Sequence, residues 1–218
     1  MPKPLFPSDP FPLSKRLFDL ALVLITAPLT LAIGAVICVL LLVREGRPIF
    51  YRAHRSGQGG RVFKALKFRT MRELSDDEDN SGVSGGDKTF RISRFSGFLR
   101  RTRLDELPQL VNVLKGDMSL VGPRPPDPAY VDRFPDIYAT VLRSRPGLTG
   151  LATLHMHRFE DRVLRGCTTA AETDAVYCRR CIPRKARLDL MYRERIQRPG
   201  VVCYDSLIIA RSVRSVLK

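Results

Sequence analysis

From Leu20 to Val43 no position carries a charge. As one helix this run would be roughly 36 Å long at about 1.5 Å per residue, enough to cross a hydrocarbon core about 30 Å thick. A cleaved signal peptide would have a shorter apolar core, about 7–15 residues, and would end at small residues instead of Arg44. Lys15 and Arg16 precede the run and Arg44, Arg47, Arg52 and Arg55 follow it, and short basic flanks tend to stay on the cytoplasmic side. Pro28 removes a backbone donor and crowds the preceding turn. A broken helix that enters and leaves by one face satisfies both the flanks and the proline; a spanning helix merely kinked at Pro28 is the other reading. Asp19 reads as the partner of Arg16 in a headgroup-level ion pair.

Beyond the apolar run, Pro48–Tyr51 and Arg61–Phe68 are short β-favouring stretches around Gly57, Gly59 and Gly60, the pattern of a hairpin-like pair of strands. Ser75 to Asp87, acidic and glycine-rich, has little to bury and predicts a mobile loop. Phe90 to Arg101 sets Phe90, Phe95, Phe98 and Leu99 among basic residues, which fits an amphipathic helix on an anionic surface or a core-facing helix with a solvated side. Leu107 to Leu114 predicts a helix with Pro108 in its first turn, Asp105 or a neighbour as cap and Gly116 as stop. Ser206 to Leu217 predicts another, on the membrane surface or packed on the domain.

The chain is long enough for one domain with a membrane element and too short for two large domains. Its 37 basic and 22 acidic residues give a formal charge of +15, which suits anionic partners without choosing among nucleic acid, lipid headgroups and phosphorylated substrates. Five cysteines, an odd number, do not form a secreted disulfide framework and favour a reducing compartment.

The chemistry gathers around Asp105 and Glu106. A helix N-terminus favours negative charge, so Asp105 is expected to stay ionised with phosphate groups welcome beside it. Lys67, Arg69, Arg100, Arg101 and Arg124 are candidate phosphate contacts, since guanidinium groups bind phosphate oxygens in pairs and offset charge developing in phosphoryl transfer.

In order along the chain stand Lys15-Arg16-x-x-Asp19, Phe63-Lys-x-x-Lys67-Phe-Arg-Thr-Met71, Leu104-Asp-Glu-Leu-Pro-Gln-Leu110, Asn112-Val-Leu-Lys-Gly-Asp-Met-Ser-Leu-Val-Gly-Pro-Arg-Pro125 and Pro146-Gly-Leu-Thr-Gly150. This series resembles the bacterial sugar transferase family, small monotopic phosphoglycosyl transferases that begin glycan assembly on undecaprenyl or related polyprenyl phosphates. The likeness is close over residues 14 to 152 and loose beyond.

The resemblance implies a re-entrant membrane helix hinged at Pro28. Many relatives carry a serine before that proline; here Ala27 stands there, so Thr26 or a local helix adjustment must serve the freed backbone. It also implies that Asp105 attacks the phosphorus nearest the sugar of a nucleotide diphosphate sugar, expels UMP and holds the sugar phosphate until polyprenyl phosphate displaces it. Glu106 would orient Asp105 or assist with metal and protons. Mg²⁺ is the expected cation, with Asp105 its ligand. Lys67, Arg100 and Arg124 would bind the diphosphate or the acceptor phosphate, and Arg69 would do the same or brace the fold.

After Gly150 the chain reads Leu151-Ala-Thr-Leu-His-Met-His-Arg158 where many relatives continue Gln-Val-Asn-Gly-Arg, which sets the sugar-recognition surface apart. Cys167, Cys178 and Cys181 with His157 could supply a four-coordinate structural zinc site; unconnected reduced cysteines are the alternative.

The expected architecture is a small α+β domain, mostly helical with a short β element. A proline-kinked re-entrant helix (residues 15–46, after a tail of 1–14) and interfacial amphipathic helices anchor it. The catalytic domain, 47–218 with a variable region 151–218, faces the cytoplasm at the inner membrane. Expected partners are a nucleotide sugar donor, UDP-linked as the resemblance implies, a polyprenyl phosphate acceptor and membrane lipids. Nucleic acid is not among them, and a homodimer is compatible. A membrane-anchored nucleic-acid binder would leave the acidic dyad without a purpose, and an inactive scaffolding relative would not need Asp105, Glu106, Lys67 and Arg124.

Overall fold

The computed structural model describes residues 4–72 and 90–216. The segment Ser75–Asp87, expected as a mobile loop, and Leu217, expected to end the last helix, lie outside the described residues. Helix α1 runs from Leu13 to Glu45, within two residues of the expected limits, with Pro28 inside it and Gly46 (φ 73°) closing it through an N–H bond to the Leu41 carbonyl. Thr26 does not serve the carbonyl of Leu24, which Pro28 deprives of its helical donor. Its hydroxyl lies 2.7 Å from the Leu22 oxygen instead, and that of Thr30 lies 3.1 Å from the Thr26 oxygen. Hydroxyl bonds of this back-directed kind favour helix bending.

The buried positions of α1 are at its two ends, Lys15, Asp19 and Val23 at one and Ile37 and Leu41 at the other. No residue from 24 to 36 is buried, and Leu24, Ile25, Leu29 and Leu31 are open. Among the described residues this is the one helix long and apolar enough to cross a membrane.

At the first end, Val23 joins a core with Val113, Met118, Val121, Tyr192 and Ile208. Lys15 pairs there with Asp205, both fully enclosed, and the Tyr192 hydroxyl sits 2.8 Å from the same carboxylate. The expected pair of Asp19 with Arg16 is corrected. Asp19 accepts from the Ser119 hydroxyl at 2.7 Å and the Leu120 N–H at 3.3 Å, while Arg16 donates to the carbonyls of Val113 and Leu114 at 2.7 and 2.9 Å. A carboxylate taken out of water must find donors, and Ser119 with its neighbouring backbone supplies them. At the second end, Ile37 and Leu41 pack on Phe68 and Leu99.

Strands β1 (Phe50–Ser56) and β2 (Val62–Phe68) form the expected antiparallel hairpin, from Phe50 opposite Phe68 to Ser56 opposite Val62. Its turn needs left-handed backbone at Gly59 and Gly60 (φ 69° and 78°). The preceding tail straps across that turn, with the N–H groups of Leu5 and Phe6 donating to Gly59 and Asp9 held by Arg143 and Arg193.

Helix α2 (Arg94–Arg101) is capped by the Ser93 hydroxyl. It turns Leu99 into the core and leaves Phe98 46% exposed. The next segment is a 3₁₀ turn, Leu104–Gln109, containing Pro108, and only then helix α3 (Leu110–Lys115), which Gly116 ends.

Strands β3 (Ser119–Val121) and β4 (Gly147–Thr149) pair in parallel, a sheet not anticipated. Their backbones are so close that a Cβ on Gly147 would stand 2.0 Å from the Gly122 nitrogen. Helices α4 (Pro128–Arg133), α5 (Pro135–Val141), α6 (Leu151–Leu164) and α7 (Ala170–Val176) follow. A π-helical turn at Tyr177–Cys181 leads into α8 (Ile182–Ile196), and α9 (Val201–Val216) closes the chain. Helix α9 packs on the domain through Val201, Asp205 and Ile208 while Leu207 and Val213 stay exposed. The described residues are thus mostly helical with two small sheets, the α+β class expected.

Candidate active site

Arg103, between α2 and the 3₁₀ turn, lies in the left-handed region (φ 57°), and its carbonyl accepts the Glu106 N–H at 3.1 Å. This reversal carries Asp105 and Glu106 inward, each 5% exposed. Glu106 is surrounded by cations. Lys67 of β2 reaches Oε1 at 2.8 Å, Arg124 at 2.7 Å and Arg103 at 3.5 Å. Burial opposes ionisation of Glu106, but Arg124, Lys67 and Arg103 outweigh it and hold the carboxyl well below the usual carboxylate range. Arg124 follows directly on the β3–β4 contact, so the close approach at Gly122 and Gly147 fixes where its guanidinium is presented.

Asp105 differs from its neighbour. Its Oδ1 is buried with no hydrogen-bond partner among the described residues. Burial and then the Glu106 charge raise its pKa above the ordinary value, against the pull of Lys67, Arg100 and Arg103. Asp105 does lie in the first turn of a helical segment, the 3₁₀ turn that runs into α3, but burial is the larger influence and raises its pKa where the helix end was expected to keep it ionised.

The site opens into a cavity of about 1220 Å³ that Lys67, Arg100, Arg103 and Arg124 line together with the two carboxylates. Arg100 lies 3.5 Å from the Thr70 hydroxyl, and burial lowers its pKa, with Asp105 and Glu106 opposing. Burial likewise lowers the Lys67 pKa, with Glu106 opposing. Arg69, though on the same cavity, donates to the carbonyls of Glu45 and Gly46 at 2.8 and 3.2 Å, bracing the end of α1.

Helices α6 and α8 also line the cavity. Lys185 donates to Glu160 at 2.9 Å and to the Tyr177 hydroxyl at 3.1 Å. His157 belongs to this wall, 3.3 Å from Arg103 and 3.5 Å from Asp161. The other side chains of the expected four-ligand zinc set have separate surroundings. Cys178 lies beside Asp174, the Cys167 thiol meets the Val163 carbonyl and Cys181 is buried. No group of three or more His, Cys, Asp or Glu side chains among the described residues is arranged to hold a metal ion. A Mg²⁺ ion needs less, one or two carboxylates with phosphate oxygens and water completing its shell. Asp105, with an unpartnered oxygen, fits that donor set, whereas Glu106 is occupied by cations.

Sequence reasoning missed Arg103, Glu160 and Lys185. Arg103 stands two residues from Asp105 and could have been found by adjacency alone. Glu160 and Lys185 come from separate helices and carry no local signal.

Four cations against two carboxylates, in a cavity beside the domain end of an exposed apolar helix, define a protein with a carboxylate centre built for anionic ligands. Residues 11–218 match the family described as bacterial sugar transferase, and the chain belongs to that family. It is 38% identical over 175 residues to the UDP-glucose:undecaprenyl-phosphate glucose-1-phosphate transferase of Caulobacter vibrioides, covering 76% of this chain and 62% of that protein. It is 30% identical over 218 residues to the UDP-N-acetylgalactosamine-undecaprenyl-phosphate N-acetylgalactosaminephosphotransferase of Aeromonas hydrophila, covering 98% and 46%. A third relative, the UDP-glucose:undecaprenyl-phosphate glucose-1-phosphate transferase of Escherichia coli K12, is 36% identical over 172 residues, covering 77% and 36%. The chain therefore spans between about a third and two thirds of the length of these curated relatives.

Proposed function

We propose that this protein transfers a sugar 1-phosphate from a nucleotide diphosphate sugar, a UDP-sugar by analogy with the relatives, to undecaprenyl or a related polyprenyl phosphate, initiating glycan or exopolysaccharide assembly. The observation that carries this reading is the asymmetry of the dyad. Glu106 is neutralised by three cations, whereas Asp105 keeps an unpartnered oxygen on a cation-lined cavity.

In the first step the Asp105 carboxylate attacks the phosphorus bearing the sugar, the bond from that phosphorus to the UMP oxygen breaks, and UMP leaves with the electron pair. The sugar phosphate is then held as an aspartyl phosphodiester. In the second step an oxygen of the polyprenyl phosphate attacks the same phosphorus, and the Asp105 carboxylate is released as the lipid diphosphate sugar forms. Arg100, Lys67 and Arg124 offset the diphosphate charge, and Glu106 keeps Lys67, Arg103 and Arg124 in place. Asp105 would hold Mg²⁺, which supplies Lewis-acid neutralisation of the phosphate oxygens when bound.

The reading includes a re-entrant α1, a domain on the cytoplasmic face of the inner membrane and a site near the lipid phosphate. Burial of both ends of α1 against one domain, with its middle open, supports that topology. The test is UMP release by the purified, detergent-solubilised chain from a panel of UDP-sugars with Mg²⁺ and undecaprenyl phosphate. Release is expected from wild type and not from Asp105→Asn; undiminished release by the variant would overturn the aspartyl route.

A further inference from the structure

Four buried side-chain oxygens lack a hydrogen-bond partner among the described residues, namely those of Asp105, Ser144, Thr153 and Asp189. Three of the four residues, all but Ser144, line the same cavity. Asp105 has its role above. Thr153 and Asp189 have none, and a buried polar atom left without a partner is a cost that folds avoid unless something else completes it.

The two sit on a wall that is otherwise complete. Thr153, His157 and Glu160 are one or two turns apart on α6, and Lys185 and Asp189 are one turn apart on α8, so each set shares a helix face. The Glu160–Lys185–Tyr177 contacts are satisfied within the protein. Lys185 is thereby committed to Glu160 and Tyr177. Asp189 is 6% exposed, and burial pushes its carboxyl up to about 7 against the partial pull of Lys185. Near neutral pH such a group is present in both forms and can accept a hydrogen bond or donate one.

We infer that Asp189 and Thr153 form a hydroxyl-binding subsite for a sugar ring of the nucleotide donor, completing their hydrogen bonds when that donor is bound. The inference rests on the donor class proposed above. Anions are disfavoured at this wall because an unpaired carboxylate repels them, so the diphosphate belongs with Arg100, Arg124 and Lys67, and a neutral polar group belongs with Asp189. Ring hydroxyls are that group, whether on the transferred sugar or on the ribose. The cavity, about 1220 Å³, exceeds the roughly 300–1,000 Å³ usual for a small-molecule site and has room for both ends of one extended donor.

The experiment compares wild type with Asp189→Leu and Thr153→Val, all full-length in detergent, for calorimetric binding of UDP-sugars, UMP release and inhibition by UMP. Loss of a hydrogen bond from a buried site predicts a donor KM raised about tenfold in each variant, with little change in kcat and no loss of thermal stability. If the hydroxyls are those of the transferred sugar, the loss differs between a UDP-hexose and its epimer and inhibition by UMP is unchanged. If they are those of the ribose, every UDP-sugar and UMP weaken by the same factor. Either pattern supports the subsite, and Thr153→Val reads it out alone should Asp189→Leu fail to fold. Variants with wild-type KM and wild-type ranking of donors, or a fall in kcat alone, would overturn it. A wild-type chain that neither binds nor cleaves any UDP-sugar would overturn the donor reading itself and the subsite with it.

Discussion

Asp105 and Glu106 are adjacent in sequence and equally buried, yet the environment drives their proton affinities apart. Glu106 has three cations within 3.5 Å and loses its proton readily. Asp105 has a desolvated, unpartnered oxygen and a negative neighbour. If the ionised form is the nucleophile, activity is lost as pH falls through this raised value, so the acid limb of the rate profile should lie above the ordinary aspartate pKa. Replacing Arg100 by Gln removes one of the charges pulling it down. The limb should then move to still higher pH, and the rate should fall roughly ten- to hundredfold with loss of a charge-assisted phosphate contact; a limb that stays in place would sever Arg100 from Asp105. The dyad was legible as a pair of carboxylates among basic motifs. Its asymmetry was not, because which of two neighbouring side chains receives Lys67 and Arg124 depends on a left-handed turn at Arg103 and on strands brought from elsewhere in the chain.

At the scale of elements, the hairpin and α1 were visible because their patterns are long or punctuated by glycine. The β3–β4 pair was invisible: three residues are too few for an alternation to register, and the parallel partner lies beyond two helices. The basic flank of α1 was misread for a related reason. The flank was read as the side of the membrane it marks, with Asp19 paired to Arg16, but Lys15 finds its partner in Asp205 on the last helix, and the pair is shut inside the core with Tyr192. Lys15→Met should strand the Asp205 carboxylate and cost about 3–5 kcal/mol. Adding Asp205→Leu should recover much of that loss, which thermal denaturation of the two variants and the double variant would show. The dyad chemistry is remote from this pair, so a cycle with no recovery would mean that Lys15 contributes through packing alone.

For the whole molecule, α1 and the rest of the chain share their hydrophobic cores. Val23 belongs to the core formed with α3, β3, α8 and α9, and Ile37 and Leu41 belong to the core under α2 and β2. A chain beginning at residue 47 would expose both clusters and leave Asp205 unpaired. Expressed alone, it should aggregate or lack cooperative thermal unfolding, whereas a monodisperse fragment with a sharp transition would show that the domain stands without α1. The overall class, mostly helical with one long apolar helix, followed from composition and period. The interlocking of that helix with the domain did not, since it depends on side-chain partners far apart in sequence that carry no local signal.

That interlocking bears on how such a protein meets lipid. An ordinary membrane-spanning rod, free at one end, adjusts to a thicker or thinner bilayer by leaning. In the re-entrant reading, a rod gripped at both ends by the same body would have no such freedom, and its reach into the acyl chains would be a dimension of the protein, set when the protein folds. In the re-entrant reading, the plane of the reaction relative to the lipid phosphates would be fixed in the same way, so membranes of different thickness would present the enzyme with the same working height.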